Sequence, residues 1–253
     1  MSIPVLMYHH VLPKDGFICS SIENFTKQMN FLKQNGYYTL SSKEFYMYKK
    51  GKFKAPKKSV FITFDDGWRN NAVYAYPILK KLELKATIFL VTGWINKASE
   101  KKEEFEALEH RECKKIAPIN PHKVIMSWDD IESCNDVFDF HSHTATHRDE
   151  YYGKLSWQED LAISRDTIKQ QLGFEDKHLC WPRGTFNESL IKQAKEVGYE
   201  VFYTTQRGVN LADNNSLYIK RIAVKKDEKW LKKNMFLFSN NIMGSLYAKI
   251  KPQ

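Results

Sequence analysis

The chain has 253 residues, 42% of them hydrophobic and 14% aromatic, a globular composition that excludes disorder. No run approaches the ~20 apolar residues of a membrane span, and Cys19, Cys113, Cys134 and Cys180 form no CxxC pair, so neither a zinc finger nor a disulfide framework is expected and a reducing compartment suits them. A formal net charge of +9 favours anionic partners.

In chain order, the amino-terminal MSIPVLMYHHV lacks the basic stretch and long apolar core of a signal peptide and reads as a strand over 3–11. Ser20 with Glu23 makes a capping box; Ile22, Phe25, Met29 and Leu32 follow at helical spacing, and Gly36 is the stop. Ser41 with Glu44 opens a second short helix. Residues 59–64 are a β run, 70–84 a helix kinked or broken at Pro77, and 86–91 a strand. Residues 97–123, KASEKKEEFEALEHRECKKIAPINPHK, interrupt the alternation as a charge-dense, partly helical excursion. Ser156 with Glu159 caps a helix ending near Leu172; 178–181 is β, 188–197 helical up to Gly198, and 201–205 β. The last stretch, about 225–253, is basic and amphipathic: Lys225, Lys226, Lys229, Lys232 and Lys233 flank Trp230, Leu231, Met235, Phe236 and Phe238. With no repeat and no Gly/Ser linker, residues 1–253 are expected to form a single α/β domain around a mainly parallel sheet, open or closed into a barrel.

Two stretches carry chemistry. FITFDDGW (61–68) sets Asp65 and Asp66 side by side where a strand stops, with Gly67 permitting a sharp turn. Asp-Gly after an apolar run is also a hairpin signal. FHSHTATH (140–147) holds His141, His143 and His147. Two histidines four apart also suit one solvated helix face. Together the stretches say more. Two imidazoles and a carboxylate are a common ligand set for a catalytic divalent metal, which keeps positions open for water and substrate. A second carboxylate beside the ligand can then act as base. Both stretches follow apolar runs, and sites assemble at the C-terminal ends of strands in barrels and open parallel sheets. The combination points to a metallohydrolase.

TFDDG (63–67), His143-Thr-Ala-Thr-His147 and CWPRG (180–184) resemble the first three motifs of the NodB-homology polysaccharide deacetylases, carbohydrate esterase family 4. YAYPILKKLELKATIFLVTGWI (74–95) and AKEVGYEVFYTT (194–205) resemble the segments that follow motifs one and three, and the similarity runs from about residue 3 to 224. The resemblance implies a distorted (β/α) barrel of about seven strands with one divalent metal ion, zinc in the first place, with nickel, cobalt or iron as alternatives. It implies Asp65 as general base, and Asp66, His143 and His147 as metal ligands. The cation activates the attacking water and polarises the amide carbonyl, and a backbone N–H near Arg183–Gly184 helps hold the oxyanion. Trp181, Arg183 and Gly184 are therefore the substrate and oxyanion candidates. His141, on one strand face with His143, is not required by the family pattern and reads as supporting or structural.

The sequence departs from the family twice. Most members take their catalytic acid from a Leu-x-His motif near the C-terminus, but the last histidine here is His178, ahead of motif three. LMYHHV offers His9 and His10 instead, and so resembles a subgroup that includes poly-N-acetylglucosamine deacetylases, with the acid histidine in an N-terminal strand. That match gives the acid role to His9 and leaves His10 to packing or hydrogen bonding. Alternation alone does not choose, because Val5 and Met7 lie with His9 while Leu6 and Tyr8 lie with His10. Motif three also lacks the arginine that often pairs with the base. Arg221 in YIKRIAV is the candidate substitute, and Arg183 stands where tyrosine is usual, either touching an anionic substrate group or solvated in a loop.

The expected activity is removal of an N-acyl group, acetyl first, from an amino sugar in a surface polysaccharide or a polyprenyl-phosphate-linked precursor. An O-acetyl esterase would use the same machinery. A non-enzymatic polyanion binder has no use for the Asp and His constellation, and no basic-aromatic module appears, so nucleic acid is not expected. The missing signal-peptide pattern points to the cytoplasm. The basic C-terminal segment is either a last helix packed on the barrel or a peripheral anchor on an anionic inner leaflet.

Overall fold

The expected amino-terminal strand is two strands broken at His9. In this computed structural model, which describes residues 1–148, 155–225 and 227–251, Val5–Tyr8 (β1) joins the central sheet and His10–Leu12 (β2) turns away to pair in parallel with Cys19–Ser21 (β3). Lys226 of the basic segment lies outside the described residues. Because Ser20 belongs to β3, the cap of the first helix, Ile22–Gln34 (α1), falls one residue later than expected: Ser21 accepts from the Asn24 N–H. The Ser41/Glu44 capping box stands as read, between Tyr38–Thr39 (β4) and Ser42–Lys49 (α2).

Ser59–Phe64 (β5) buries all six of its side chains, as a parallel strand covered on both faces does. Beyond it the chain makes a π turn over Asn71–Ala75 before Tyr76–Lys81 (α3). The break therefore precedes Pro77, which sits in the first turn of α3, where its missing N–H has no partner to lose. Ala86–Leu90 (β6) and Thr92–Ala98 (α4) follow. The excursion contains one short helix, His110–Ile116 (α5), and a 3₁₀ turn at Pro121–Lys123. Trp128–Ser133 (α6) leads into Phe138–Ser142 (β7), and the Ser156/Glu159 capping box starts Trp157–Leu172 (α7). His178–Cys180 (β8), Glu188–Val197 (α8), Val201–Tyr203 (β9), Ile222–Ala223 (β10), Glu228–Ser239 (α9) and Asn241–Ile250 (α10) complete the order.

β10, β1, β5, β6, β7, β8 and β9 lie side by side in that sequence, all parallel. These seven strands curl into the expected distorted barrel. Its seam is spanned by residues 219–223, since Ile219 bridges Tyr203 of β9 and Ile222 pairs with Leu6 of β1. Alternation sorts the side chains. Val5, Phe61, Phe89, Val201 and Tyr203 pack together within the curl, while Leu6, Ile62, Ile88 and Phe138 pack with the covering helices. Each such buried side chain contributes roughly 1.5–3 kcal/mol. The inner register continues through Asp65, His143 and Cys180 at the C-terminal ends of β5, β7 and β8.

At the C-terminus, α9 buries Leu231, Met235 and Phe238 against the barrel's helical layer and leaves Phe236 exposed. Most of the apolar set flanked by lysines is thus core. No helix among the described residues is long and apolar enough to cross a membrane.

Candidate active site

Where β5 stops, Asp66 and Gly67 both take left-handed backbone, with φ of 78° and 81°. Glycine is needed at 67 for a second reason: a Cβ there would stand 3.0 and 3.1 Å from methyl carbons of Ile95 and Leu90. The turn sets Asp66 against Trp68, whose indole N–H donates to Asp66 Oδ2 at 2.8 Å.

His143 and His147 flank an irregular turn, not a helix. Thr144 and His147 have φ of 68° and 53°, a conformation that a β-branched residue adopts only where its surroundings impose it. Asp160 of α7, fully buried, imposes it. Its Oδ1 accepts from the N–H groups of Ala145 and Thr146, and its Oδ2 from the Thr146 hydroxyl and the Arg148 guanidinium. Sequence reasoning missed Asp160, because an aspartate early in a capped helix looks like an ordinary complement to the helix dipole.

The turns bring Asp66, His143 and His147 together, with one ligand atom of each inside a 4.8 Å span. Asp66 Oδ1 is buried, makes no hydrogen bond and stands 3.4 Å from Nε2 of each imidazole. His143 Nδ1 lies 2.7 Å from the Cys180 carbonyl oxygen. That oxygen only accepts, so Nδ1 carries a proton and Nε2 is the nitrogen turned toward Asp66. Burial opposes a charge on His143, but Cys180 and Asp66 outweigh it and hold its pKa well above the ordinary value. Burial likewise pushes the Asp66 carboxyl up, and the facing imidazoles of His143, His147 and His9 hold it well below its usual range. A buried site that attracts a proton this strongly, with an orphaned carboxylate oxygen facing two imidazole nitrogens, fits a divalent cation that takes the proton's place.

Arg221 is beside the first aspartate. It is fully buried, and its guanidinium grips Asp65 in bidentate fashion, 2.6 Å from Oδ1 and 2.8 Å from Oδ2. Its Nε donates to the Thr204 carbonyl at 2.8 Å, and Nη2 lies 3.1 Å from Cys180 Sγ. Burial raises the Asp65 pKa, but Arg221, then His9, bring it below the ordinary value.

His9 and His10 separate cleanly. His9 Nε2 lies 3.7 Å from Asp65 Oδ2 with the side chain 19% exposed, and the residue lines a cavity of about 810 Å³ with Phe17, Thr205 and Val224. His10 is fully buried and stacked on Trp68, with Nδ1 2.8 Å from Asn70 and Nε2 3.0 Å from His110. His141 is elsewhere: its Nδ1 is 2.7 Å from Asp176, and its ring stacks on His178 at 4.2 Å.

For motif three, one expectation is corrected and one is narrowed. The Trp181 ring does not line a substrate site; it is fully buried, stacked on Phe202 at 5.6 Å and Phe186 at 6.3 Å. Of the backbone N–H groups near Arg183–Gly184 expected to hold the oxyanion, that of Gly184 is committed, donating to the Trp181 carbonyl at 3.0 Å. Arg183 is exposed, and its Nη1 reaches the His147 carbonyl at 3.4 Å.

A curled parallel sheet with an Asp-His-His cluster and a guanidinium-held aspartate at its strand ends has the build of a metallohydrolase. Residues 52–202 match the family model for polysaccharide deacetylase. YxkH of Bacillus subtilis is 30% identical over 224 residues, covering 88% of this chain and 71% of that protein. The poly-beta-1,6-N-acetyl-D-glucosamine N-deacetylase of Staphylococcus aureus is 27% identical over 220 residues, covering 82% and 68%. Among solved structures, the Streptococcus pyogenes deacetylase PplD, in complex with acetate, is 25% identical with a TM-score of 0.75, over 95% of this chain and 99% of that one. IcaB from Ammonifex degensii shares the fold, with a TM-score of 0.74 at 21% identity over 94% and 97%. The chain belongs to the polysaccharide deacetylase family, the NodB-type group that its motifs resemble, and is a deacetylase by class.

Proposed function

We propose that the chain hydrolyses the N-acetyl group of an amino-sugar glycan, with Asp66, His143 and His147 holding one divalent cation. Zinc is the first choice, and nickel, cobalt or iron are the alternatives. The observation that carries the reading is the buried Asp66–His143–His147 cluster beside an aspartate held by Arg221. When bound, the cation supplies Lewis acidity toward water and the acyl carbonyl. Asp65, kept ionised and aimed by a guanidinium that does not give up its charge, accepts a proton from the attacking water. His9, on the cavity side of Asp65, delivers a proton to the sugar nitrogen as the C–N bond breaks. Acetate and a free amine leave. Arg183, exposed beside His147, contacts the substrate.

The staphylococcal relative acts on poly-β-1,6-N-acetylglucosamine, and this supports an N-acetylglucosamine polymer as the substrate class. A narrower form of the proposal places the enzyme in the cytoplasm, on a polyprenyl-phosphate-linked glycan at an anionic inner leaflet. Its support is the exposed set Phe236, Ile242, Leu246 and Ile250 on α9 and α10, in a stretch whose lysines include Lys229, Lys232 and Lys233. Metal-loaded protein and N-acetylglucosamine oligomers test the main reading, with product amines read by mass spectrometry. Acetate release from O-acetyl sugars alone would move the assignment to the esterase alternative. Co-sedimentation with phosphatidylglycerol vesicles and subcellular fractionation test the narrower form.

A further inference from the structure

Trp68 follows the TFDDG turn directly, is fully buried and takes no step in the proposed chemistry. Its ring is held from two sides. His10 stacks on it at 4.6 Å with 28° between the planes, and Trp94 lies tilted against it at 5.5 Å. Its backbone is held as well. Trp68 bridges Ile125 in antiparallel fashion, the Met126 N–H donates to the Gly67 carbonyl at 3.0 Å, and the Arg69 N–H donates to the Val124 carbonyl at 2.8 Å. The chain returning from the charged excursion thus clamps residues 67–69.

The imidazole behind the ring is fixed in turn. Asn70 Oδ1 accepts from the Val11 N–H at 3.0 Å, which orients the amide so that Nδ2 donates to His10 Nδ1 at 2.8 Å. The indole therefore cannot swing without disturbing the chain at 10–11, at 67–70 and at 124–126. Its N–H is aimed at Asp66 Oδ2, 2.8 Å away. This makes the two oxygens of Asp66 unequal. Oδ2 is committed to a rigid donor, while Oδ1 makes no hydrogen bond and stands 3.4 Å from Nε2 of both His143 and His147.

We infer that Trp68 is a positioning residue that restricts Asp66 to one donor oxygen toward the cation. A carboxylate can bind a metal ion through one oxygen or through two. A second carboxylate oxygen on the ion fills a position that water or the acyl carbonyl needs. With the indole N–H in place, Oδ2 is occupied, and Asp66, His143 and His147 each offer a single atom. Without it, a buried oxygen has lost its donor and turns to the cation for compensation. This inference rests on the proposed cation site and names what keeps part of that site open.

The probe is cobalt(II) alone, added to metal-free protein, because its visible absorption weakens as donors are added around the ion. Two replacements are compared with the wild type. Trp68→Phe removes the N–H and some volume. Trp68→benzothienylalanine keeps the shape of the indole and puts sulfur where the N–H stood. At saturating cobalt both should show a weaker band and turn over about ten-fold more slowly, the lower end of what the partner of a metal ligand supplies. A role in packing alone would lower the Tm of Trp68→Phe and leave the band of the isosteric variant at wild-type intensity. That unchanged band overturns the inference, whatever the turnover of either variant, and leaves the cation site standing. A wild type that takes up no cobalt overturns the inference and the cation site together.

Discussion

His141 and His143 lie two residues apart on one inner register, and each belongs to a cluster of two imidazoles and an aspartate. The lower cluster is closed on itself. Asp176 takes His141 Nδ1 at 2.7 Å and also accepts from the Ser142 and His178 N–H groups, while His178 Nδ1 lies 2.9 Å from the Tyr203 hydroxyl. Among the described residues, the fully buried side-chain atom it leaves without a hydrogen bond is His141 Nε2. In the upper cluster, Asp66 keeps one oxygen without a hydrogen bond, 3.4 Å from two imidazole nitrogens. Composition is the same in both. What separates a candidate metal centre from a structural knot is where the acceptors are left uncommitted, and whether they converge.

The largest expected effect comes from exchanging the two histidines as targets. His143→Ala should lose the cation and lower kcat/KM by at least about 10³-fold, beyond the ~10–100-fold typical of residues that only support a metal ligand. His141→Ala should keep stoichiometric metal and stay within about ten-fold of wild type, at the mild end of that range. Elemental analysis and the oligomer assay on both variants check this. Metal loss in the His141 variant would erase the distinction between the clusters.

The aspartates extend the contrast. Asp65→Asn should retain the metal and lose ~10²–10⁴ in turnover, the cost of a missing general base. Asp176→Asn should leave turnover per folded molecule near wild type and lower unfolding stability by ~1–3 kcal/mol, because buried donors lose a charged acceptor. Activity and urea melts measured on both variants separate the two kinds of loss. Next comes His9→Ala. An amine leaves poorly unless protonated, whereas a nitrophenolate leaves unaided, so N-deacetylation should fall by ~10² while nitrophenyl acetate hydrolysis is largely spared. Equal loss on both substrates would mean that the substitution had disturbed Asp65 or the metal instead.

Local signals were legible in the sequence and distant ones were not. The Ser41/Glu44 and Ser156/Glu159 boxes, the strand at 59–64 and the helix at 188–197 stand where spacing and capping put them. The three ligand candidates and Asp65 were visible because two short motifs contain them. The split at His9 was not, since it depends on β2 leaving the sheet to pair with β3. The Asp160 clamp acts 14 and 15 residues away from the loop it shapes, and the His10–His110 contact spans 100 residues. Trp181 carries no local mark of burial, because Phe186 and Phe202 cover it only after the chain has folded. Arg221 was within reach of sequence reasoning only because motif three lacks its usual arginine.

The smallest expected effect is a pH dependence of opposite sign in the two clusters. Burial, together with the neighbouring His141 and Lys177, lowers the His178 pKa well below its ordinary value. The unfolded chain then binds more protons at His178 than the folded one. Its contribution is therefore whole above the unfolded value of about 6.5 and is lost as pH falls from there toward the folded value. His143 in the metal-free protein is raised well above that value. Its contribution is whole below about 6.5 and is lost as pH rises through the folded value. Each histidine changes stability by up to about 1.4 kcal/mol per pH unit within its window, or roughly 2–4 °C in Tm per kcal/mol for a chain of this size. Melting the metal-free protein between pH 7.5 and 5.5, a range chosen around the ~6.5 reference, should show partial cancellation. His143→Ala should steepen the loss of Tm on acidification, and His178→Gln should flatten it. Metal binding should also steepen it, because the cation takes the place of the proton on His143 and must be displaced as pH falls. If the two variants shifted the slope in the same direction, the clusters would not differ in the way their hydrogen bonding indicates.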